Sequence, residues 1–364
     1  MVEGIIRDNM ELYNNKQWIA DIDEVLQTLP ELVELAGSRV LVTGSTGLIC
    51  SALIELLARW NDTHETKIAI IATGRMEAGV RARFAPLLDR SWFDVVVFDA
   101  VSGELKGDIT CDYIIHGAGN ASPNKIVSEP VETMLGNFMG TYSLLEYARA
   151  NHIKRLLYIS SSEVYGRSES NEPFKTTDYG YVDLLQPRSS YAVGKRAAET
   201  LCVSYGAEWG VDSVIVRPGH IYGPTARESD NRVSSAWAYA AARGENIVMK
   251  SDGSQIRSYC YVLDCVTAIL KVLLRGKALQ AYNISNIESV ITIRQMAEIL
   301  AKAGGCEVRT ELPSEKEKRG FNPMLNSSLD ASALIALGWS GCFDAYRGFD
   351  HTVKIIRETS LKKL

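Results

Sequence analysis

The feature that most limits what this chain can fold into is a glycine turn set between two hydrophobic runs. In SRVLVTGSTGLICSALIELLARW, residues 38–60, a short apolar run, Val40–Val42, enters the turn. A helical pattern leaves it: Leu48, Ile49, Ala52, Leu53, Leu56 and Leu57. Strand, glycine turn and amphipathic helix in that order read as a dinucleotide-binding turn. Its backbone N–H groups and the positive end of the helix would face a pyrophosphate. The residues expected at the dinucleotide are Gly44, Ser45, Thr46, Gly47, Leu48 and Ile49. Gly44 permits the tight turn and Gly47 the close approach of phosphate. Cys50 stands where a third glycine is usual, and it reads as a small packing residue beneath the helix, not a nucleophile.

From Arg39 onward, strand-like and helix-like runs alternate. The expected strands are Arg39–Thr43, Lys67–Ala72, Phe93–Phe98, Tyr113–His116, Arg155–Ser160 and Ser213–Arg217; the helical runs are Leu48–Trp60, Pro130–Asn151 and Tyr191–Trp209. Such alternation predicts an α/β fold, a Rossmann doubly wound parallel sheet covered on both faces. After Arg217 the pattern becomes turn-rich, which predicts a smaller C-terminal α/β substrate-binding domain. The expected division is a Rossmann domain over 37–217, with 257–275 returning to it, and a substrate domain over 218–256 and 276–364. Residues 1–36 carry Ile19, Ile22, Val25, Leu26, Leu29, Leu32, Val33 and Leu35 at helical spacing, with Pro30 as a break. They read as a helical extension that packs on the body or serves as an oligomer arm.

At 364 residues the chain is long enough for roughly two units of ~150 residues each. Its net charge of −5 argues against a nucleic-acid partner, which would require a basic face. No apolar run reaches the ~18 residues of a membrane span, and the mixed, polar N-terminus is no secretory signal, so no membrane partner is expected. The seven cysteines are scattered, with no C-x-x-C pair, which predicts no metal site and reduced thiols in a cytoplasmic protein.

The second strand ends in Thr73, Gly74 and Arg75, without the acid that reads a free ribose 2′-hydroxyl. Arg75 leans toward a 2′-phosphate, with a solvated surface arginine as the alternative. Asp99, after the third strand, is a candidate for the adenine amino group. HGAGNAS, residues 116–122, follows the fourth strand and lets backbone approach the cofactor around Ala118. Tyr191 and Lys195 form Y-x-x-x-K, which puts both on one face of a helix. An ammonium beside a phenol favours the phenolate, so Tyr191 could serve as general base on a sugar hydroxyl. Lys195 could also bond the nicotinamide ribose. The run LLYISSSEVYG, residues 156–166, places Ser161 at a strand end, where it can bond the same hydroxyl, with Glu163 as a nearby acid or base.

Together, TGSTGLI, HGAGNASP, ISSSEVYG, YAVGK, RPGHIYGP, RSYCYVLD and YNIS resemble the extended short-chain dehydrogenase/reductase family, the NAD-dependent epimerases and dehydratases of nucleotide sugars, over about residues 38–340. Within it, ASPNKIVSEPVETMLGNFMGT, SSSEVYG, PRSSYAVGKRAAE and GSQIRSYCYVLD are similar to UDP-glucuronate decarboxylases of the UDP-xylose synthase type. The resemblance implies bound NAD (NADP stays open through Arg75), a nucleotide-diphosphate sugar as substrate, and a homodimer through the helices near 130–151 and 191–209. It implies catalytic roles for Ser161, Glu163, Tyr191 and Lys195. It also implies substrate contacts from Ser122, Ser162, His220 and Arg257, the last to the diphosphate or a sugar carboxylate. The chain departs from the pattern at Cys50, at the missing ribose-reading acid, at His220 in place of asparagine, and at the glycines of HGAGNASP. Ser162 in place of aspartate speaks against a 4,6-dehydratase. A 4-epimerase or 4,6-dehydratase, an NADPH-dependent reductase and a non-catalytic dinucleotide sensor are the alternatives.

Overall fold

The computed structural model describes residues 12–311 and 324–360. Its centre is an eight-stranded sheet. The strands are β1 (Arg39–Thr43), β2 (Ala69–Gly74), β3 (Phe93–Asp99), β4 (Glu104–Leu105), β5 (Tyr113–His116), β6 (Arg155–Ile159), β7 (Ser213–Pro218) and β11 (Ala281–Ile284). They lie in the order β11-β7-β6-β5-β1-β2-β3-β4. All neighbours are parallel except β4, which runs antiparallel to β3. The order reverses between β1 and β5, so the crevice where a doubly wound sheet binds ligands lies over the ends of those strands. The six expected strands are all present.

Both faces are buried, which is why the strands read as unbroken apolar runs. In β1, Leu41 joins one core with Ile114, Leu156 and Leu144, while Val40 and Val42 join the other with Leu53, Leu56 and Ile269. The first face is covered by α4 (Pro130–Ala150) and α5 (Ser189–Trp209), the second by α2 (Leu48–Thr63) and α7 (Val262–Arg275).

Helix α2 is buried nearly all round, because the N-terminal arm covers its outer side. The arm forms α1 (Lys16–Leu26), and Pro30 opens a helical turn over Pro30–Leu35. Trp18 donates its indole N–H to Glu55 at 2.5 Å, and Glu55 also pairs with Arg83 at the end of α3 (Glu77–Arg83). Arg59 grips Asp23 at 2.7 and 2.8 Å. Buried Asp21 accepts from Tyr261 Oη at 2.9 Å and meets His351 Nδ1 at 2.9 Å. The arm packs on the body, and residues 1–11 lie outside the described residues.

The smaller unit contains β8 (His220–Tyr222), β10 (Ile256–Tyr261), β12 (Val290–Thr292) and β14 (Asn326–Ser327) in one sheet, and a parallel pair of β9 (Ile247–Met249) with β13 (Val308–Thr310). Helices α6 (Val233–Ala242), α8 (Ile293–Gly304) and α9 (Ala345–Ser360) pack against one another beside it. Two boundaries differ from those expected. Strand β11 falls within 276–364 yet pairs with β7 at the edge of the main sheet. Within 257–275, β10 belongs to the small sheet, and only α7 covers the main one. Among the described residues no helix is long and apolar enough to cross a membrane.

Candidate active site

The glycine turn sits at the carboxyl end of β1 and leads into α2. Gly44 has φ of +68°, and a Cβ there would lie 2.6 Å from Gly117 O and 2.8 Å from Ala118 N. Only glycine meets both demands. Thr43 holds the two loops together: its Oγ1 accepts from Ala118 N at 3.2 Å and lies 2.7 Å from His116 Nδ1. Burial pushes the His116 pKa down to about 3, so the ring is neutral. Gly47 caps α2 without a side-chain bond, which leaves the first N–H groups of the helix for a ligand. Ser45 and Thr73 present buried hydroxyls with no partner among the described residues beside the turn, where Ser45 N donates to Thr73 O at 3.1 Å. A cradle closed to side chains, an uncapped helix end and two orphaned hydroxyls fit a dinucleotide.

Cys50 packs as expected, and the structure supplies the reason. A Cβ on Gly117 would lie 2.5 Å from Cys50 Sγ. The sulfur fills the space that a side chain at 117 would occupy. Burial pushes the thiol up to about 12, so it is no nucleophile. None of the seven cysteines forms a disulfide.

At the adenosine end, Arg75 is half-exposed and 3.7 Å from Glu132. Asp99 spends one carboxylate oxygen on Val101 N at 2.9 Å.

Tyr191 and Lys195 lie in the first two turns of α5, and both are buried. Ser161 follows β6, accepts from Glu163 N at 3.2 Å, and acts to lower the pKa of the Tyr191 phenol. Lys195 Nζ donates to Ile159 O at 2.7 Å and lies 4.7 Å from the Tyr158 ring and 5.9 Å from the Tyr191 ring. Burial is the largest influence on Tyr191 and pushes its phenol up to about 12, against the lowering effect of Ser161. Lys195 is not among the influences on the phenol, and in the protein alone burial prevails. Burial likewise brings Lys195 down to about 8, opposed by Glu199.

Glu163 is clasped by Arg188 through two bonds of 2.9 Å, so its carboxylate is committed to an ion pair at the entry to α5. Ser162 starts the helical turn that carries Glu163. On the facing wall, His220 opens β8, with its ring 5.6 Å from Tyr259. The residue is solvent-accessible, yet protein crowds it. That desolvation, then the charges of Arg257 and Arg232, pushes its pKa down to about 4. Arg257, on β10, is only 4% exposed. It donates to Ile256 O at 2.8 Å and Met324 O at 3.2 Å, with no carboxylate partner among the described residues. A buried guanidinium without an anion is an anion site by its chemistry. Ser122 bonds Asn231 Oδ1 at 3.3 Å, and Arg232 acts electrostatically on both Tyr191 and His220. Sequence reasoning does not find Thr43, Arg188, Asn231 or Arg232. Arg188 stands within the PRSSY motif; the other three carry no local signal.

The sequence pattern described as the NAD dependent epimerase/dehydratase family matches residues 40–287. UDP-glucuronic acid decarboxylase 6 of Arabidopsis thaliana is 32% identical over 260 residues, 71% of this chain and 72% of the relative. UDP-glucuronic acid decarboxylase 1 of Xenopus tropicalis is 28% identical over 330 residues, 90% of this chain and 74% of the relative. The crystal structure of UDP-glucose 4-epimerase from Thermotoga maritima with UDP-glucose superposes with a TM-score of 0.73 at 23% identity, over 88% of this chain and 99% of that one, a likeness of fold.

Proposed function

Because the chain belongs to the NAD dependent epimerase/dehydratase family, we propose that it oxidises carbon 4 of a nucleotide-diphosphate uronic acid and releases the carboxylate as carbon dioxide, as a UDP-glucuronate decarboxylase does. The observation that carries this is the pairing of the Ser161–Tyr191–Lys195 group with a buried arginine, Arg257, that lacks a carboxylate partner among the described residues. A bound nicotinamide dinucleotide accepts hydride at its ring and, when oxidised, carries a positive charge that favours a neighbouring phenolate. Ser161 and Tyr191 hold the sugar hydroxyl and exchange its proton, with Lys195 as the cation of the site. Arg257 takes the diphosphate or the sugar carboxylate, and Ser122, Ser162 and His220 line the same side. Oxidation at carbon 4 leaves a ketone β to the carboxylate, and such an acid loses carbon dioxide because the ketone accepts the electrons. Glu163, held by Arg188, fixes the Ser161 turn against α5.

Gly44 to Ile49, Ala118 and Asp99 form the dinucleotide site, and the bare end of β2 with Arg75 leaves the choice between NAD and NADP to the identity of the co-purified molecule. The exposed apolar row on α4 (Val131, Leu135, Phe138, Tyr142) suits a homodimer, and the reduced thiols suit the cytoplasm. The chain divides into an arm, a Rossmann domain including α7 and β11, and a substrate domain. The test is mass spectrometry of UDP-, dTDP-, CDP- and GDP-sugars incubated with the protein. Loss of the mass of carbon dioxide from a uronic acid supports decarboxylation. Loss of water marks a dehydratase, and a changed stereocentre at constant mass marks an epimerase. Consumption of added NADPH marks a reductase. Tyr191→Phe should lower turnover at least ~100-fold with dinucleotide binding intact. Unchanged turnover would end the catalytic reading.

A further inference from the structure

The turn-rich segment after β8 reaches across to the glycine turn. Thr225, buried, donates its hydroxyl to Leu48 O at 2.8 Å, at the first residue of α2. Arg227, exposed two residues on, donates from Nη2 to Thr46 O at 3.3 Å, inside the turn itself. The segment is fastened on its other side: Tyr239 Oη of α6 donates to Ala226 O at 2.9 Å, and Asn231 meets Ser122 at 3.3 Å. Its two acids are already neutralised, Glu228 by Arg243 at 2.9 Å and Asp230 by Arg232. Arg227 has no ion-pair partner among the described residues. It is the one uncompensated charge of the segment, and it stands over the glycine turn.

We propose that residues 225–232 are a clasp over the dinucleotide, with Arg227 giving its charge to the pyrophosphate. Thr225 sets the distance, so the guanidinium is delivered to the turn instead of swinging in solvent. One N–H of its fork meets Thr46 O, and the rest of the fork is left for phosphate oxygens. Because the clasp is tied to Ser122 and α6, the dinucleotide leaves only when the segment lifts. That retention suits a cofactor that would be reduced by carbon 4 of the sugar and reoxidised by the resulting ketone within one active site. The inference rests on dinucleotide binding at the glycine turn and is independent of which sugar is processed.

The experiment uses the 364-residue chain stripped of dinucleotide, with NADH and NADPH as probes followed by fluorescence, in equilibrium titration and stopped-flow release. Arg227→Ala should release the bound probe about tenfold faster and bind it about tenfold more weakly, as loss of a charge-assisted bond implies. Arg227→Lys should fall between, since it keeps the charge and loses the fork. Arg309→Ala, which removes an exposed arginine paired with Glu307, should match wild type. Wild-type affinity should fall more steeply with salt than that of Arg227→Ala. Thermal unfolding without dinucleotide should be the same in all four proteins. Release by Arg227→Ala at the wild-type rate overturns the proposal. So does a loss that is insensitive to salt and equalled by Thr225→Val, because Arg227 would then only brace the turn. Failure of the wild-type chain to bind either probe overturns the proposal together with its premise. A chain that retains both probes as expected, yet releases no carbon dioxide from any uronic acid, supports the clasp and overturns only the decarboxylase reading.

Discussion

A methyl group added at Gly117 has no room while Cys50 keeps its sulfur. The new Cβ would lie 2.5 Å from Cys50 Sγ, 3.2 Å from Ile159 Cδ1 and 3.3 Å from Thr43 O. Comfortable contact begins at roughly 3.5 Å, so the sulfur must give by about 1 Å. Gly117 is not among the glycines with positive φ, so alanine meets no backbone strain and the cost is steric. Ile159 and Thr43 end strands of the main sheet and cannot yield cheaply. Overpacking of this kind costs about 1–3 kcal/mol. Cys50→Ala alone removes the sulfur and leaves a small void, at about 1 kcal/mol. In the double variant the methyl added at position 117 occupies the space the sulfur left. The two changes should therefore couple favourably by about 1–2 kcal/mol, well beyond the ~0.5 kcal/mol scatter of independent sites. Urea unfolding of the four proteins in the cycle measures this. NADH titration gives a second readout, because residues 117 and 118 stand against Gly44, and their displacement narrows the turn. Additive stabilities, or a neutral Gly117→Ala, would refute the reasoning.

The Lys195 proton should separate activity from stability. Burial holds its folded pKa at about 8, below the ordinary value of 10.5. Between those values the unfolded chain keeps a proton that the folded one has released, so this group adds stability as pH rises through the window. Turnover should fall with a midpoint near 8, as the site loses its ammonium, while the contribution of Lys195 to the urea midpoint rises; a flat activity profile through that window would contradict the assignment. The arm gives a purely structural case. Asp21→Ala strands Tyr261 Oη and the His351 ring in the interior, and should cost about 3 kcal/mol in unfolding experiments. Glu34→Ala, at the exposed pair with Arg275, should leave stability unchanged.

What the sequence discloses follows the range of the interactions involved. β1, β5 and β7 are readable because their apolar runs, buried on both faces, end at glycine, proline or histidine turns. β11 is not, because Ala281–Ile284 has no run of its own and becomes a strand only by pairing with β7. The Tyr191–Lys195 pair is legible from helical spacing alone. The upward push of burial on the Tyr191 phenol is not, since it depends on the packing around the ring. The role of Cys50 depends on Gly117, sixty-seven residues away, and that of Glu163 on Arg188 across an intervening loop. Arg257 is named by its motif, but its missing counter-ion can be seen only with its neighbours in place.

The arm also bears on the order in which the molecule is completed. Asp21 and His351 are 330 residues apart, so the first helix of the arm leaves the ribosome long before its last partner exists. Until then α1 lacks its contact with α9, and before α7 is made the arm has only α2 to pack on. Closing so long a loop is slow, though length itself adds little to its free-energy cost. The nascent chain therefore carries a greasy, half-covered nucleotide domain through most of synthesis. A chaperone that binds exposed apolar helices would find its target there, and would lose it once the carboxyl-terminal helix docks.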